Sequence, residues 1–316
     1  MGVPSLFLFY YPNIMKASAP VQLLQDPLFA TKGVQVYLKR EDLLHPTIPG
    51  NKWRKLKYNL QAARESGKNT LLTFGGAYSN HIAAVAAAGR EFNFRTIGYI
   101  RGEAHLTLNP TLTFATNCGM QLHYLDREAY RLKNTPFFLE KLRHEYPEAY
   151  LLPEGGTNLL ALKGCAEIVP DITVAYDYLL CAAGTGGTLA GIIAGLAGEK
   201  QVIGFPALKG GAFLKEDIVH LVTHYTGQTY DNWELQTQYH FGGYAKIKPE
   251  LVAFIQYFRQ QHQVPIEPIY TGKMLYGLYD LIRNDYFKPN TAIVAIHTGG
   301  LQGLAGLEER LGVRLT

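Results

Sequence analysis

Residues 178–208 constrain the fold more than any other stretch of the chain. YLLCAA (178–183) is an apolar run of strand length. It stops at Gly184-Thr185-Gly186-Gly187-Thr188, and the small-residue helix pattern LAGIIAGLAG and a second apolar strand, QVIGFPAL (201–208), follow. Strand, helix and strand within about thirty residues make a βαβ unit, whose two strands run parallel in a sheet covered on both faces.

The turn between them reads as a phosphate cradle. Glycines permit a tight nest of inward-pointing N–H groups, the threonines add hydroxyl donors, and a helix N-terminus follows. A dinucleotide fingerprint would need a third glycine where Leu189 stands and an acid at the end of the next strand, which instead reads Pro-Ala-Leu-Lys. A Walker A loop would need a lysine where Gly187 stands. A single phosphomonoester fits better than a nucleotide.

The same alternation runs through the rest of the chain. Strands are expected at 70–76 (TLLTFGG), 95–102, 121–127, 149–157 and 291–300. Helices are expected from Ser79-Asn80-His81 through IAAVAAAG, around 109–119, and over 129–147, 249–262 and MLYGLYDLI. At 316 residues, 47% hydrophobic and 18% charged, the chain can bury the core of a globular enzyme. A scattered net charge of +4 argues against a nucleic-acid partner. No apolar run approaches the ~20 residues of a membrane helix. LFLFYY (6–11) lacks the basic residues that precede a signal-peptide core, and Met15 offers an alternative start that would make residues 1–14 an extension, a choice the sequence leaves open. Three cysteines, Cys118, Cys165 and Cys181, show no CxxC spacing and suit a reducing, cytoplasmic setting.

Lys52 stands where a Pro/Gly loop enters a helix, with Lys39 and Arg40 upstream and Arg54, Lys55 and Lys57 just after it. One reading is a basic helix face in water. The other is a Schiff-base lysine whose amine is kept neutral by burial, neighbouring cations and the helix start. Gly75 and Gly76 let backbone approach a ligand, and Ser79 and Asn80 either cap the next helix or receive a carboxylate. Residues 231–248, with Tyr239, His240 and Tyr244, read as a surface loop or as a substrate lid. His297, at a strand end, reads as a satisfied core histidine.

Taken together, Lys39-Arg40-Glu41-Asp42, Gly50-Asn51-Lys52-x-Arg54-Lys55-Leu56-x-Tyr58, Ser79-Asn80-His81, Tyr270-Thr271-Gly272-Lys273 and His297-Thr298-Gly299-Gly300 resemble one family, from about residue 17 to 310. It is the D-cysteine desulfhydrase and 1-aminocyclopropane-1-carboxylate (ACC) deaminase group, pyridoxal-phosphate (PLP) enzymes of the tryptophan-synthase β-subunit fold, fold type II. The resemblance implies that Lys52 carries PLP as a Schiff base, and that Asn80 bonds the ring hydroxyl oxygen. Gly184, Thr185, Gly186, Gly187 and Thr188 would hold the phosphate, and Thr298 would approach the pyridine nitrogen. Ser79, Asn80 and His81 would surround the substrate carboxylate, and Tyr270 and Tyr244 would stand near the reacting groups. ACC ring opening goes with Tyr-Glu-Gly-Lys in this family, whereas Thr271 follows Tyr270 here and matches the desulfhydrases. The loop FGGYAKIKPE and the threonine-rich phosphate turn depart from both subgroups.

The expected fold is therefore α/β, with two open, mostly parallel twisted sheets and helices on both faces. A smaller domain at 53–160 is inserted in a larger one made of 1–52 and 161–316. The expected activity is α,β-elimination from a small amino acid, D-cysteine giving pyruvate, sulfide and ammonia. ACC deamination to 2-oxobutanoate and ammonia is the alternative, and binding of PLP or an amino acid without turnover is a third. A homodimer is expected from the resemblance, and no metal.

Overall fold

The central strands are buried along nearly their whole length, with side chains alternating between two cores rather than between core and water. In Ala292–Ile296 (β10), Ile293 and Ala295 enter one cluster while Val294 and Ile296 enter another. In Tyr178–Ala183 (β7), Leu180 and Ala182 take the first side and Leu179, Cys181 and Ala183 the second. Period-two alternation between two apolar faces is why these segments read as continuous apolar runs. The computed structural model of the chain describes residues 18–48, 50–104 and 107–315, apart from the side chains of 310 and 311. The apolar start at 6–11 and Met15 lie outside them.

Two sheets result. The larger has the order β1-β2-β10-β7-β8-β9, with β1 Val21–Leu24, β2 Gln35–Lys39, β8 Gln201–Pro206 and β9 Trp233–Leu235. Only β1 and β2 pair antiparallel; every other neighbour is parallel, with Val36 opposite Ile293 and Leu180 opposite Ile203. The smaller is wholly parallel, β5-β4-β3-β6, from Thr70–Gly76 (β3), Arg95–Arg101 (β4), Met120–Leu125 (β5) and Ala149–Leu151 (β6). This is the α/β, mostly parallel two-sheet fold expected above.

Five helices carry or support the site: Asn51–Glu65 (α1), Asn80–Phe92 (α2), Leu159–Ala166 (α3), Gly187–Leu196 (α4) and Thr271–Arg283 (α5). Helix α1 lies against α3 so closely that a Cβ on Gly164 would stand 1.8 Å from the Arg54 carbonyl oxygen. The strand expected at 291–300 runs only over Ala292–Ile296, and three other expectations change. The helix at 129–147 is two, Arg127–Arg131 and Pro136–Glu145, because Pro136 restarts the chain behind its own cap, the Thr135 hydroxyl accepting the Phe138 N–H at 3.4 Å. The strand at 149–157 ends at Leu151, since Gly155 and Gly156 take left-handed φ of +67° and +68°. The polar stretch 231–248 contributes edge strand β9 before becoming a loop.

Candidate active site

The loop before Lys52 is pinned to the ends of other elements. Gly50 takes φ +67° and ψ −147°, donates its N–H to the Glu41 carbonyl at 2.9 Å, and lets the chain lie against Thr298. The Asn51 N–H donates to the Thr298 carbonyl at 3.2 Å, and the Asn51 amide donates to Thr188 Oγ1 at 2.8 Å. Lys52 thus leaves the first turn of α1 beside both the β10 end and the glycine turn after β7. Its amine is brought down to about 7, first by burial and then by the charge of Lys55. The basic cluster does not act as a whole. Arg54 is held by Glu41 at 2.9 Å and by Asp171, and Lys57 pairs with Glu167. Among the nearby cations, Lys55 is the one that presses on Lys52.

Lys55 reads in the sequence only as one of the cations around Lys52. It is 2% exposed, and its Nζ donates to the Gly155 carbonyl at 2.9 Å and Thr157 Oγ1 at 3.0 Å. A Cβ on Gly187 would stand 2.6 Å from Thr157 Oγ1 and 3.1 Å from that ammonium, and Thr157 Oγ1 lies 2.6 Å from Thr185 Oγ1. A buried cation solvated by neutral oxygens, facing a turn whose N–H groups open a helix, is stabilised by an anion placed there. The residues fit a phosphate group. Lys55 lies three positions after Lys52 on one helix face, a spacing that could have pointed to it. Thr157, 102 residues away from Lys55, had no such signal.

On the small sheet, Ser79 caps α2, its hydroxyl accepting the N–H groups of His81 and Ile82 at 3.2 and 3.3 Å. The Asn80 amide oxygen accepts from Gln302, and its nitrogen lies 2.9 Å from the Cβ position of Gly300. His81 departs from expectation. It is 1% exposed and lies behind the turn, against Gly156. Thr73 Oγ1 donates to the Leu152 carbonyl at 3.0 Å, so the 2.9 Å contact with His81 Nε2 must be donated by the histidine. Its Nδ1 is then a bare, buried lone pair, and burial followed by the charges of Lys52 and Lys55 holds the ring neutral. Such a ring offers no proton to a carboxylate.

Tyr270 and Tyr244 meet edge to face with ring centroids 5.9 Å apart. Both phenols are raised, first by burial, and remain protonated donors near neutral pH. The Cβ position of Gly184 lies 3.1 Å from the Tyr270 ring, joining the pair to the phosphate turn. Two residues outside the sequence-level site hold these tyrosines. Glu267, 1% exposed, accepts the N–H groups of Ile269, Tyr270 and Thr271 at 2.6, 3.0 and 2.6 Å. Lys273 donates to the carbonyls of His240 and Gly243 at 2.9 and 2.8 Å, tethering the loop that carries Tyr244. Thr298 is buried at the exit of β10. His297 is the satisfied core histidine expected, with Nε2 on the Pro265 carbonyl at 2.8 Å and Nδ1 accepting the Gly299 N–H at 3.2 Å. No group of three or more metal-ligating side chains occurs among the described residues.

Contacts thus link several of the anticipated residues with the newly found ones: Asn51 to Thr298 and Thr188, Lys55 to Thr157 and the Gly187 backbone, Thr157 to Thr185, Gly184 to Tyr270, and Gly300 to Asn80. Comparison with known proteins gives the family. The family model described as "Pyridoxal-phosphate dependent enzyme" matches residues 17–299. The chain is 31% identical over 286 residues to a Pyrococcus abyssi protein named "Putative 1-aminocyclopropane-1-carboxylate deaminase", covering 86% of each. It is 28% identical over 295 residues to the mitochondrial "Bifunctional D-cysteine desulfhydrase/1-aminocyclopropane-1-carboxylate deaminase" of Arabidopsis thaliana, covering 86% of this chain and 74% of that one. A crystal structure described as an ACC deaminase homologue superposes with a TM-score of 0.82 at 27% identity, covering 98% of this chain and 99% of that one.

Proposed function

The chain belongs to the pyridoxal-phosphate dependent enzyme family, and on that premise we propose that it eliminates the β-substituent of a small amino acid, with D-cysteine going to pyruvate, sulfide and ammonia. One observation carries the reading: an amine brought to about 7 follows directly on Asn51, whose amide bonds Thr188 in a glycine turn backed by a buried, anion-seeking ammonium. When bound, PLP supplies an aldehyde for the amine and an electron sink for the α-carbon.

The protein's own groups do the rest. Lys55, Thr185, Thr188 and the N–H groups of the turn from Gly184 to Gly187 hold the phosphate. Asn80 would hold the ring oxygen, and Thr298 would face the ring nitrogen with a neutral hydroxyl that does not force its protonation. Ser79 and Asn80 receive the substrate carboxylate, and His81 supports them from behind. Lys52, neutral in a useful fraction at pH 7, takes the α-carbon proton. The Tyr270–Tyr244 pair presents protonated phenols to the departing group.

ACC deamination is the second reading, favoured by the names of the relatives. Against it stands Thr271, fully buried and carrying no carboxylate. Glu267 cannot substitute, because both its oxygens already accept backbone N–H groups. A protein that only bound PLP or an amino acid would have no use for a lysine amine tuned to neutrality. We further place the protein as a homodimer in the cytoplasm, where three buried free cysteines suit a reducing medium, and read 53–160 as its inserted smaller domain. The test offers D-cysteine and ACC in parallel to the PLP-loaded protein. Sulfide and pyruvate without 2-oxobutanoate support the proposal; 2-oxobutanoate from ACC transfers the assignment to the deaminase.

A further inference from the structure

Arg101 ends β4, paired in register with Gly76 at the end of β3, the strand that leads to Ser79. One guanidinium nitrogen lies 3.7 Å from the Cβ position of Gly76. Behind it the Tyr130 ring lies 5.7 Å from the guanidinium carbon. Glu154 is the carboxylate of this corner, and it is occupied: Tyr130 donates to Oε1 at 2.9 Å, and Lys133 lies 3.0 Å from Oε2. Arg101 is exposed and has no ion pair or hydrogen bond among the described residues. Its charge acts on the Tyr244 phenol, opposing the effect of burial. A planar five-donor fork, braced on an aromatic face and lacking an anion, stands at the carboxyl ends of parallel strands where ligands bind.

We infer that Arg101 forms a subsite for a second anionic group, a carboxylate carried on the β-substituent of the substrate. The inference rests on the elimination reading. Ser79 and Asn80 already receive the α-carboxylate, so an amino acid with a neutral side chain leaves the arginine unused. For an S-carboxymethylated cysteine the step balances with one water. The α-proton passes to Lys52, and the Cβ–S bond breaks with its electron pair on sulfur, which takes a proton. The remaining enamine is hydrolysed, giving pyruvate, ammonia and thioglycolate.

The test compares S-carboxymethyl- with S-methylcysteine, both enantiomers of each, on holoenzyme and on Arg101→Gln. In parallel, calorimetry measures succinate against acetate on the same two proteins. The expected results are an about tenfold kcat/KM preference for the carboxymethyl substrate, falling to less than threefold in Arg101→Gln, and succinate binding that weakens to the level of acetate in the variant. A preference that is absent, or that survives Arg101→Gln, overturns the inference. If neither thioether reacts, calorimetry decides: succinate binding that depends on Arg101 sustains the subsite, and equal binding to both proteins removes it. Failure of D-cysteine and both thioethers together, with Arg101-dependent succinate binding intact, refutes the elimination reading and leaves the anion site standing.

Discussion

Gly50→Ala tests whether the approach to Lys52 is held as rigidly as the contacts imply. At φ +67° and ψ −147° the backbone occupies a region essentially reserved for glycine, at a cost to alanine of about 1–3 kcal/mol. The added Cβ would also stand 1.8 Å from the Thr298 carbonyl oxygen, so the loop and the β10 exit must separate. Separation strains the bonds from the Gly50 and Asn51 N–H groups to Glu41 and Thr298, each worth about 1 kcal/mol. The total is about 4 kcal/mol, or a fall of roughly 6 °C in Tm for a chain of this length. Gly67→Ala is the matched control. Gly67 has a similar φ of +69°, but its Cβ would meet nothing within 4 Å. Only the left-handed backbone cost remains there, about 1–2 kcal/mol. Thermal unfolding of both variants, with PLP retention read at the imine absorbance, makes the comparison. Equal melting temperatures, with PLP retained by both, would refute the claim that Thr298 and the Lys52 loop are locked together.

Two further outcomes follow from the buried lysines. Lys55→Met removes a buried charge that only neutral oxygens solvate, so the apoprotein should be at least as stable as wild type while PLP binds about 30-fold more weakly; unchanged affinity in a cofactor titration contradicts the phosphate assignment. Lys52 titrates near 7 in the folded apoprotein and near 10.5 when unfolded, so between these values the unfolded chain binds the extra proton and stability rises with pH. Lys52→Met should therefore exceed wild-type apoprotein in urea midpoint at pH 7, with the gap closing toward pH 10. A gap that does not change with pH excludes the lowered amine.

What was legible in the sequence was local. The run YLLCAA-GTGGT-LAGIIAGLAG carried its own strand, turn and helix, and the structure has them at 178–183 and 187–196. What was not legible depended on distant partners. The charges of Arg54 and Lys57 seemed available to act on Lys52 until Glu41, Glu167 and Asp171 were seen to hold them. His81 looked like a carboxylate donor from its place in Ser-Asn-His, yet the bond from Thr73 to Leu152 fixes its tautomer the other way. Glu267 and Lys273 gave no sign of their support for the tyrosines, because that support runs through backbone groups. The pattern over 129–147 predicts one helix for a simpler reason: it runs on past Pro136, which in the structure starts a new helix.

The central claim is that Lys52 is the attachment point of the cofactor. Its most direct test is borohydride reduction of the PLP-loaded protein followed by peptide mass spectrometry. The account predicts a reduced pyridoxyl adduct on Lys52 and none on Lys55, and no adduct at all in Lys52→Ala. An adduct on Lys55, or one that persists in Lys52→Ala, would contradict it.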